Sequence, residues 1–451
     1  MGKYFGTDGF RGEANVNLTV DHAFKIGKFL GYYYGKKESG AKCRIAIGKD
    51  TRRSSYMFEY AIAAGITSTG ADALLLHVTS TPSVSYVVRT EDLDCGIMIS
   101  ASHNSYIDNG IKILDKNGEK LNDDIIKKIE DYIDGVGEEI PLAKRDDIGR
   151  TFDYVQGRNR YIGYLISIPL HSFKGYKVAL DLANGSAFQT AKAVFDALGA
   201  TTLAINNEPN GNNINKNAGS THIEGLREFV LKEKCDIGFA YDGDADRCLV
   251  VDSDGSVVDG DKILYLEAKA MKKEGYLKKD TVVITIMSNI GLIKSLEKIG
   301  IKTVVTDVGD KNVQSEITKN DYSLGGEQSG HIIFSRHATT GDGVLTSLKV
   351  MDSIIESKMT LKENLKDLVI YPQKLVNVKV TDKNKCMSDS NIQKVKKEVE
   401  DRLGNDGRLV LRASGTEKLV RIMVEAATEE ICDKECKVIE DEIKNAGYKV
   451  D

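Results

Sequence analysis

The sequence predicts an α/β protein: three related mixed-sheet α/β domains followed by a small C-terminal α+β domain. Three observations carry this. At 451 residues the chain is too long for one hydrophobic core, and typical domain sizes put it at roughly three to four domains. A pattern of strand, polar loop, helix, Gly, second strand, intervening segment, third strand and polar loop occurs three times. Residues 371–451 then abandon that pattern. Alternating strands and helices imply mixed or parallel sheets with helices on both faces.

Before the first copy, residues 3–12 form a glycine-rich loop in which Arg11 can bind phosphate bidentately. Tyr4, Phe5 and Phe10 argue that this segment is packed and not a loose end. Residues 19–37 read as an amphipathic helix, with Val20, Ala23, Phe24, Ile26, Phe29 and Leu30 on its apolar side. In the first copy the strand and loop are residues 44–50, the helix runs to Gly70, and strands follow at 73–76 and 95–100. The second copy has a strand at 177–182, a loop at 184–186, a helix to Gly199, and strands at 202–205 and 236–241. The third has a strand at 282–287, a loop at 288–289, a helix to Gly300, a strand at 303–306 and a short last strand around 322–324. A Gly before each second strand suits a helix C-terminus. Residues 339–343 form a polar turn that opens a helix at 344–356. The last region offers strands at 375–380, 408–411 and 419–425 and helices at 390–403 and about 429–446. The expected domains are 1–153, 154–256, 257–369 and 370–451.

Each third strand ends in a chemically different polar loop at one topological position, where open α/β sheets place ligands. The first is Ser100-Ala101-Ser102-His103-Asn104-Ser105, after the apolar run Gly96–Ile99. Ser102 is a candidate nucleophile for a phosphoryl group, with the His103 imidazole beside it. An ordinary strand-to-helix turn built from Ser and Asn is the alternative, and strand alternation would put Ser100 and Ser102 on one face. The second loop carries Asp242, Asp244 and Asp246, separated by Gly243 and Ala245. Three carboxylates this close repel one another, and a hard divalent cation such as Mg²⁺ compensates them, with room left for a phosphate oxygen. An EF-hand is excluded, because Arg247 stands where Gly is needed and Ser253 where a bidentate Glu is needed. The third loop holds Glu327, Ser329 and His331, suited to sugar hydroxyls. Lys112, on a segment expected to loop back toward Ser102, is a candidate proton shuttle with a lowered pKa. In the last region Arg412, Ser414, Gly415, Thr416 and Arg421 form a candidate phosphate cradle.

Net charge is −5, which argues against nucleic acid as a partner. No apolar run approaches the ~20 residues of a membrane span, and no apolar signal region opens the chain. Seven cysteines without paired CxxC spacing suggest free thiols in a reducing compartment, so a cytoplasmic location is expected.

The segments 6–12, 100–104, 242–247, 326–331 and 412–416, in this order and spacing, resemble the α-D-phosphohexomutase superfamily over essentially the whole chain. Residues 210–215, 219–222 and the Gln328-Ser329-Gly330 variant resemble its glucosamine branch. The resemblance implies four domains around a central cleft, Mg²⁺, and a phosphoserine at Ser102. It implies conversion of glucosamine 6-phosphate to glucosamine 1-phosphate on the route to UDP-N-acetylglucosamine and peptidoglycan. Glucosamine or glucose 1,6-bisphosphate would be the activating intermediate. Ser102, Lys112, Arg11 and His103 would be catalytic, and Asp242, Asp244, Asp246 and Ser102 the metal ligands. Arg247, Glu327, Ser329 and His331 would bind the sugar, and Arg412, Ser414, Gly415, Thr416 and Arg421 its non-transferring phosphate. The partner is then a small hexosamine phosphate, with a homodimer the one macromolecular assembly left open. Ser105 replaces a proline usual in the family, so the nucleophile loop would be less rigid; Ala413 replaces a usual proline in the phosphate loop, and Lys311 stands where Arg is expected, which removes bidentate geometry there. A mannose- or glucose-specific phosphomutase and a non-catalytic sugar-phosphate binder are the rival readings.

Overall fold

The computed structural model describes residues 2–35, 41–414 and 418–450. The chain divides into two compact units, residues 1–285 with 304–365, and residues 286–303 with 366–451.

Residues 2–334 carry three sheets. Strands β1 (Phe5–Gly6), β2 (Gly9–Glu13), β3 (Arg44–Lys49), β4 (Asp72–Val78), β5 (Cys95–Ile99), β6 (Asp108–Leu114) and β7 (Thr151–Asp153) form a seven-stranded sheet ordered β1-β2-β6-β5-β3-β4-β7. Strands β8 (Lys177–Asp181), β9 (Thr201–Ile205), β10 (Ile237–Tyr241), β11 (Cys248–Asp252) and β12 (Val257–Val258) follow the order β12-β11-β10-β8-β9. Strands β13 (Thr281–Thr285), β14 (Lys302–Thr306), β15 (Leu324–Gly326) and β16 (Ile332–Phe334) follow the order β14-β13-β15-β16.

The threefold repeat is thus one of topology. In each sheet the first strand of a copy lies between the second and the third, and an antiparallel strand flanks the third: β6 on β5, β11 on β10, β16 on β15. The parallel β3/β5, β8/β10 and β13/β15 pairs aim all three polar loops from C-terminal strand ends. The centres of these strands are apolar because both faces are covered. Ile45, Ile47, Ile97 and Ile99 enter one core cluster, while the alternating Ala46 and Met98 enter another on the opposite face.

Several boundaries differ from the sequence expectation. The N-terminal loop is a β1/β2 hairpin whose second strand pairs with β6, placing Arg11 opposite Gly110. The first helix is Val20–Gly35, and the expected residues 36 and 37 lie outside the described chain. The strand expected at 282–287 ends at Thr285, and the one expected around 322–324 is Leu324–Gly326. Helix Thr81–Thr90, taken from sequence as an intervening segment, is capped by Ser80, whose hydroxyl accepts from Ser83 N–H. Its Ser80-Thr81-Pro82 start is an N-cap followed by Pro in the first turn, a signal legible in the chain. Among the described residues no helix is long and apolar enough to cross a membrane.

The second unit is the α+β region. Strands β17 (Gln373–Lys379), β18 (Arg408–Ala413) and β19 (Leu419–Glu425) form an antiparallel sheet ordered β17-β19-β18. Its apolar face, with Val378, Leu409, Leu411, Val420, Ile422 and Val424, packs on helices Ser390–Leu403 and Glu429–Asn445 through Ile392, Val399, Ile439 and Ile443.

Candidate active site

Ser102 lies just past β5 in the left-handed region, with φ of 50°. That turn ends strand alternation and separates the two serines left undecided by sequence. Ser100 Oγ donates to Asp50 Oδ2 at 2.7 Å and accepts from Ser102 N–H at 2.9 Å. Ser102 Oγ instead donates to Asp242 Oδ2 at 2.6 Å. The side chain is 1% exposed.

Asp242, Asp244 and Asp246 are all buried, each offering an oxygen within 4.8 Å of the others. Burial, then repulsion by Asp246 and Asp244, pushes the Asp242 carboxyl well above its usual range. Burial also raises Asp246, but Lys112 and His331 outweigh it and hold that carboxyl well below. Asp244 Oδ1 and Asp246 Oδ1 are buried without a hydrogen-bond partner among the described residues. An all-oxygen, charge-crowded donor set with unsatisfied oxygens fits a hard divalent cation.

Gly243 makes the convergence possible. A Cβ there would stand 2.5 Å from Ser102 O and 2.9 Å from Asn215 Nδ2. Thr81, from the helix missed in sequence, donates its N–H to Asp244 O at 3.0 Å and its hydroxyl to Asp244 Oδ2. The Glu327 loop is tied to the acidic loop by Cys248 N–H to Gly330 O and to the following helix by Gly260 N–H to Gln328 O, each 3.0 Å.

Lys112 needs correction. It lies on strand β6, paired with Met98 of β5, and not on a returning loop. Its Nζ reaches Asp244 Oδ2 at 2.6 Å and Asp246 Oδ2 at 3.1 Å. Burial favours the neutral amine, but the two carboxylates prevail and hold the ammonium above its ordinary pKa, opposite to the lowered value expected. The missed signal was Ile111 and Ile113 alternating around it.

His103 Nδ1 lies 3.4 Å from Ser102 Oγ and 3.2 Å from Arg247 Nη1. Burial, reinforced by Arg247 and Arg11, lowers its pKa to about 4, so the ring is neutral at pH 7. Arg247 also donates its backbone N–H to Asp242 Oδ1 at 3.2 Å. Arg11 Nη2 stands 3.6 Å from Asp8 Oδ2, and its buried Nε has no hydrogen-bond partner among the described residues.

His331 is a second correction. It is 2% exposed and packs behind Asp246, with Nδ1 3.8 Å from Asp246 Oδ1 and Nε2 accepting from Gly341 N–H at 3.0 Å. It supports the acidic loop and is not open to a sugar. Glu327 and Ser329 are half-buried; Glu327 Oε1 accepts from Gly309 N–H at 3.1 Å, and Ser329 Oγ has no partner among the described residues.

In the second unit Arg412 and Arg421 stand directly opposite on β18 and β19. Burial and the neighbouring Arg421 lower the Arg412 pKa, as expected for two cations paired across neighbouring strands. Ser414 N–H donates to Leu419 O at 2.9 Å. Gly415 and Thr416 lie outside the described residues.

Sequence reading missed Asp50, Arg52, Thr81 and Asn215. Arg52 and Asn215 both donate to Ser102 O, at 2.9 and 2.8 Å.

A serine aimed at a buried acidic triad within a threefold α/β repeat defines a class, and comparison with known proteins supplies the same one. The chain matches four successive family models: phosphoglucomutase/phosphomannomutase α/β/α domain I over residues 2–139, domain II over 159–255, domain III over 259–370, and the C-terminal domain over 375–442. The chain belongs to the phosphoglucomutase/phosphomannomutase family, within the α-D-phosphohexomutase superfamily. Within the family it is 58% identical over 450 residues to a phosphoglucosamine mutase of Lachnospira eligens, covering 100% of both chains. To the phosphoglucosamine mutase of Bacillus subtilis it is 46% identical over 434 residues, 96% of each chain. A phosphoglucomutase/phosphomannomutase family protein of Burkholderia thailandensis shares the fold with a TM-score of 0.82, at 21% identity over 99% of this chain and 98% of that one. Aspergillus fumigatus N-acetylphosphoglucosamine mutase, solved with GlcNAc-6P and magnesium, shares it with a TM-score of 0.65, at 18% identity over 98% of this chain and 96% of that one.

Proposed function

We propose that the chain interconverts glucosamine 6-phosphate and glucosamine 1-phosphate, with Ser102 carrying the phosphoryl group between the two positions. The observation that carries this is the Ser102 hydroxyl 2.6 Å from Asp242 inside a buried acidic triad. The phosphoglucosamine mutases at 58% and 46% identity favour the hexosamine over mannose or glucose.

In the forward half-reaction the free hydroxyl oxygen of the sugar bonds to the phosphorus on Ser102, and the bond from phosphorus to Ser102 Oγ breaks. The hydroxyl proton ends on Ser102 Oγ, and the sugar becomes a 1,6-bisphosphate. After the bisphosphate reverses its orientation, Ser102 Oγ bonds to the phosphorus of the other phosphoryl group, the bond from that phosphorus to the sugar oxygen breaks, and the Ser102 hydroxyl proton ends on the sugar oxygen. Asp242, Asp244, Asp246 and Ser102 would hold Mg²⁺, which would supply positive charge near the transferring group. Lys112, kept as an ammonium by Asp244 and Asp246, and Arg11 add fixed positive charge. His103 holds the Arg247 guanidinium beside the reacting serine. Glu327 and Ser329 recognise sugar hydroxyls. Arg412, Ser414 and Arg421, with Gly415 and Thr416, take the non-transferring phosphate; an anion relieves the repulsion between the two opposed arginines. The domains run 1–153, 154–256, 257–369 and 370–451.

Intact-mass analysis tests the phosphoserine: a phosphoryl increment is expected on the wild type and absent in Ser102→Ala, which loses turnover. A fully active Ser102→Ala enzyme refutes the mechanism. Assaying glucosamine, glucose and mannose 6-phosphates side by side tests the substrate, and a clear preference for glucose or mannose overturns it.

A further inference from the structure

We propose that Arg52, anchored by Asp50, is a positioning residue that holds Ser102 in the conformation from which its phosphoryl group is transferred; this rests on the phosphoserine reading above. Arg52 is 0% exposed. Its guanidinium is spent almost entirely on one loop. Nη2 donates to the carbonyls of Ser102 and Asn104, each at 2.9 Å. Nη1 donates to the carbonyls of Ser105 and, at 3.2 Å, Asp108. Nε donates to Asp50 Oδ2 at 2.8 Å, and the Arg52 backbone N–H donates to Asp50 Oδ1 at 2.9 Å.

The other side of Ser102 ends on the same pair. Ser102 N–H donates to Ser100 Oγ at 2.9 Å, and Ser100 Oγ donates to Asp50 Oδ2 at 2.7 Å. Both polar groups of the Ser102 backbone are therefore referred to one buried ion pair. They need to be, because Ser102 is a non-glycine residue at φ 50°. Left to itself it would relax toward the right-handed or extended region, and its Oγ would swing away from Asp242. Four carbonyls spread over residues 102–108 suit the planar five-donor fork of Arg; an ammonium has three donors and no fixed plane. The loop lacks a proline at Ser105, and Arg52 supplies rigidity there from outside the loop.

Arg52 donates to neither Ser102 Oγ nor a triad carboxylate, so its loss should act on the transfer step and leave sugar binding intact. The test is Arg52→Lys, assayed with glucosamine 6-phosphate at a temperature where its melting curve shows it fully folded. The expected result is kcat lower by about 10²-fold, from a displacement of the donor by roughly 1 Å, with KM within about threefold of wild type. Added guanidinium ion is expected to restore part of the lost rate in Arg52→Ala, which a purely structural role does not predict. Wild-type kcat in folded Arg52→Lys, or a loss confined to KM, overturns the proposal. If Arg52→Lys does not fold, Asp50→Asn, which weakens the anchor and keeps its shape, decides: kcat should fall with KM retained, and unchanged kcat overturns the proposal. Absence of a phosphoryl group on wild-type Ser102 under turnover would instead overturn the phosphoserine reading itself, whatever the Arg52 variants do.

Discussion

Gly243→Ala tests how rigidly the acidic loop and the nucleophile loop are locked together. Gly243 does not adopt the left-handed conformation, so alanine meets no positive-φ strain there. The effect is purely one of space. The new Cβ would lie 2.5 Å from Ser102 O, 2.9 Å from Asn215 Nδ2 and 2.9 Å from Ile214 Cδ1. Ile214 can move, but Ser102 O cannot easily. It is a backbone atom held by Arg52 at 2.9 Å and by Asn215 at 2.8 Å. An ordinary contact needs roughly 3.5 Å, so the loops must part by on the order of 1 Å. Overpacking of this kind costs about 1–3 kcal/mol of stability. Displacement of the reacting groups by about 1 Å costs on the order of 10²-fold in rate. A steady-state assay with glucosamine 6-phosphate alongside a thermal melt should show kcat down by about that factor while the protein stays folded. Gly225→Ala, on helix Glu224–Glu233 with open space at its Cβ, is the control and should retain wild-type turnover. Gly243→Ala with wild-type kcat would mean that Ser102 and the triad are not held at a fixed separation.

Removing the divalent cation with a chelator should abolish turnover, and Mg²⁺ should restore it, raise the melting temperature and add about 2.7 kcal/mol of stability at a concentration 100 times Kd. Asp244→Asn should lose that thermal shift and at least about a hundredfold in Mg²⁺-dependent rate without unfolding; an unaltered shift would exclude Asp244 as a ligand. Burial pushes the Glu267 carboxyl from 4.5 up to about 7, with Oε1 accepting from Ser353 Oγ at 2.9 Å and Oε2 unpartnered among the described residues. Between pH 4.5 and 7 the folded chain then binds the extra proton, so stability falls as pH rises through that window, by about 3 kcal/mol in all. Glu267→Gln should flatten that slope in urea titrations, and an identical slope in both proteins refutes the assignment.

Motif chemistry and period were local enough to be legible. Ser102 and the three aspartates stand out because short polar runs interrupt apolar strands. The repeat emerged because each copy keeps its strand, helix-ending Gly and strand in order. The same local logic failed at Lys112 and His331. A lysine or histidine in a polar context reads as a solvent- or substrate-facing group until its neighbours are known, and both neighbours, Asp244 and Asp246, lie more than a hundred residues from Lys112.

The sequence by itself determined the α/β class, the three polar loops and the kind of chemistry each could perform, since residue type and spacing suffice for those. Only the tertiary structure decided which serine faces the triad, that Lys112 is held as an ammonium, and that Arg52 carries the nucleophile loop. Each depends on a left-handed turn at Ser102 or on contacts between distant segments, and neither leaves a periodic trace in the chain.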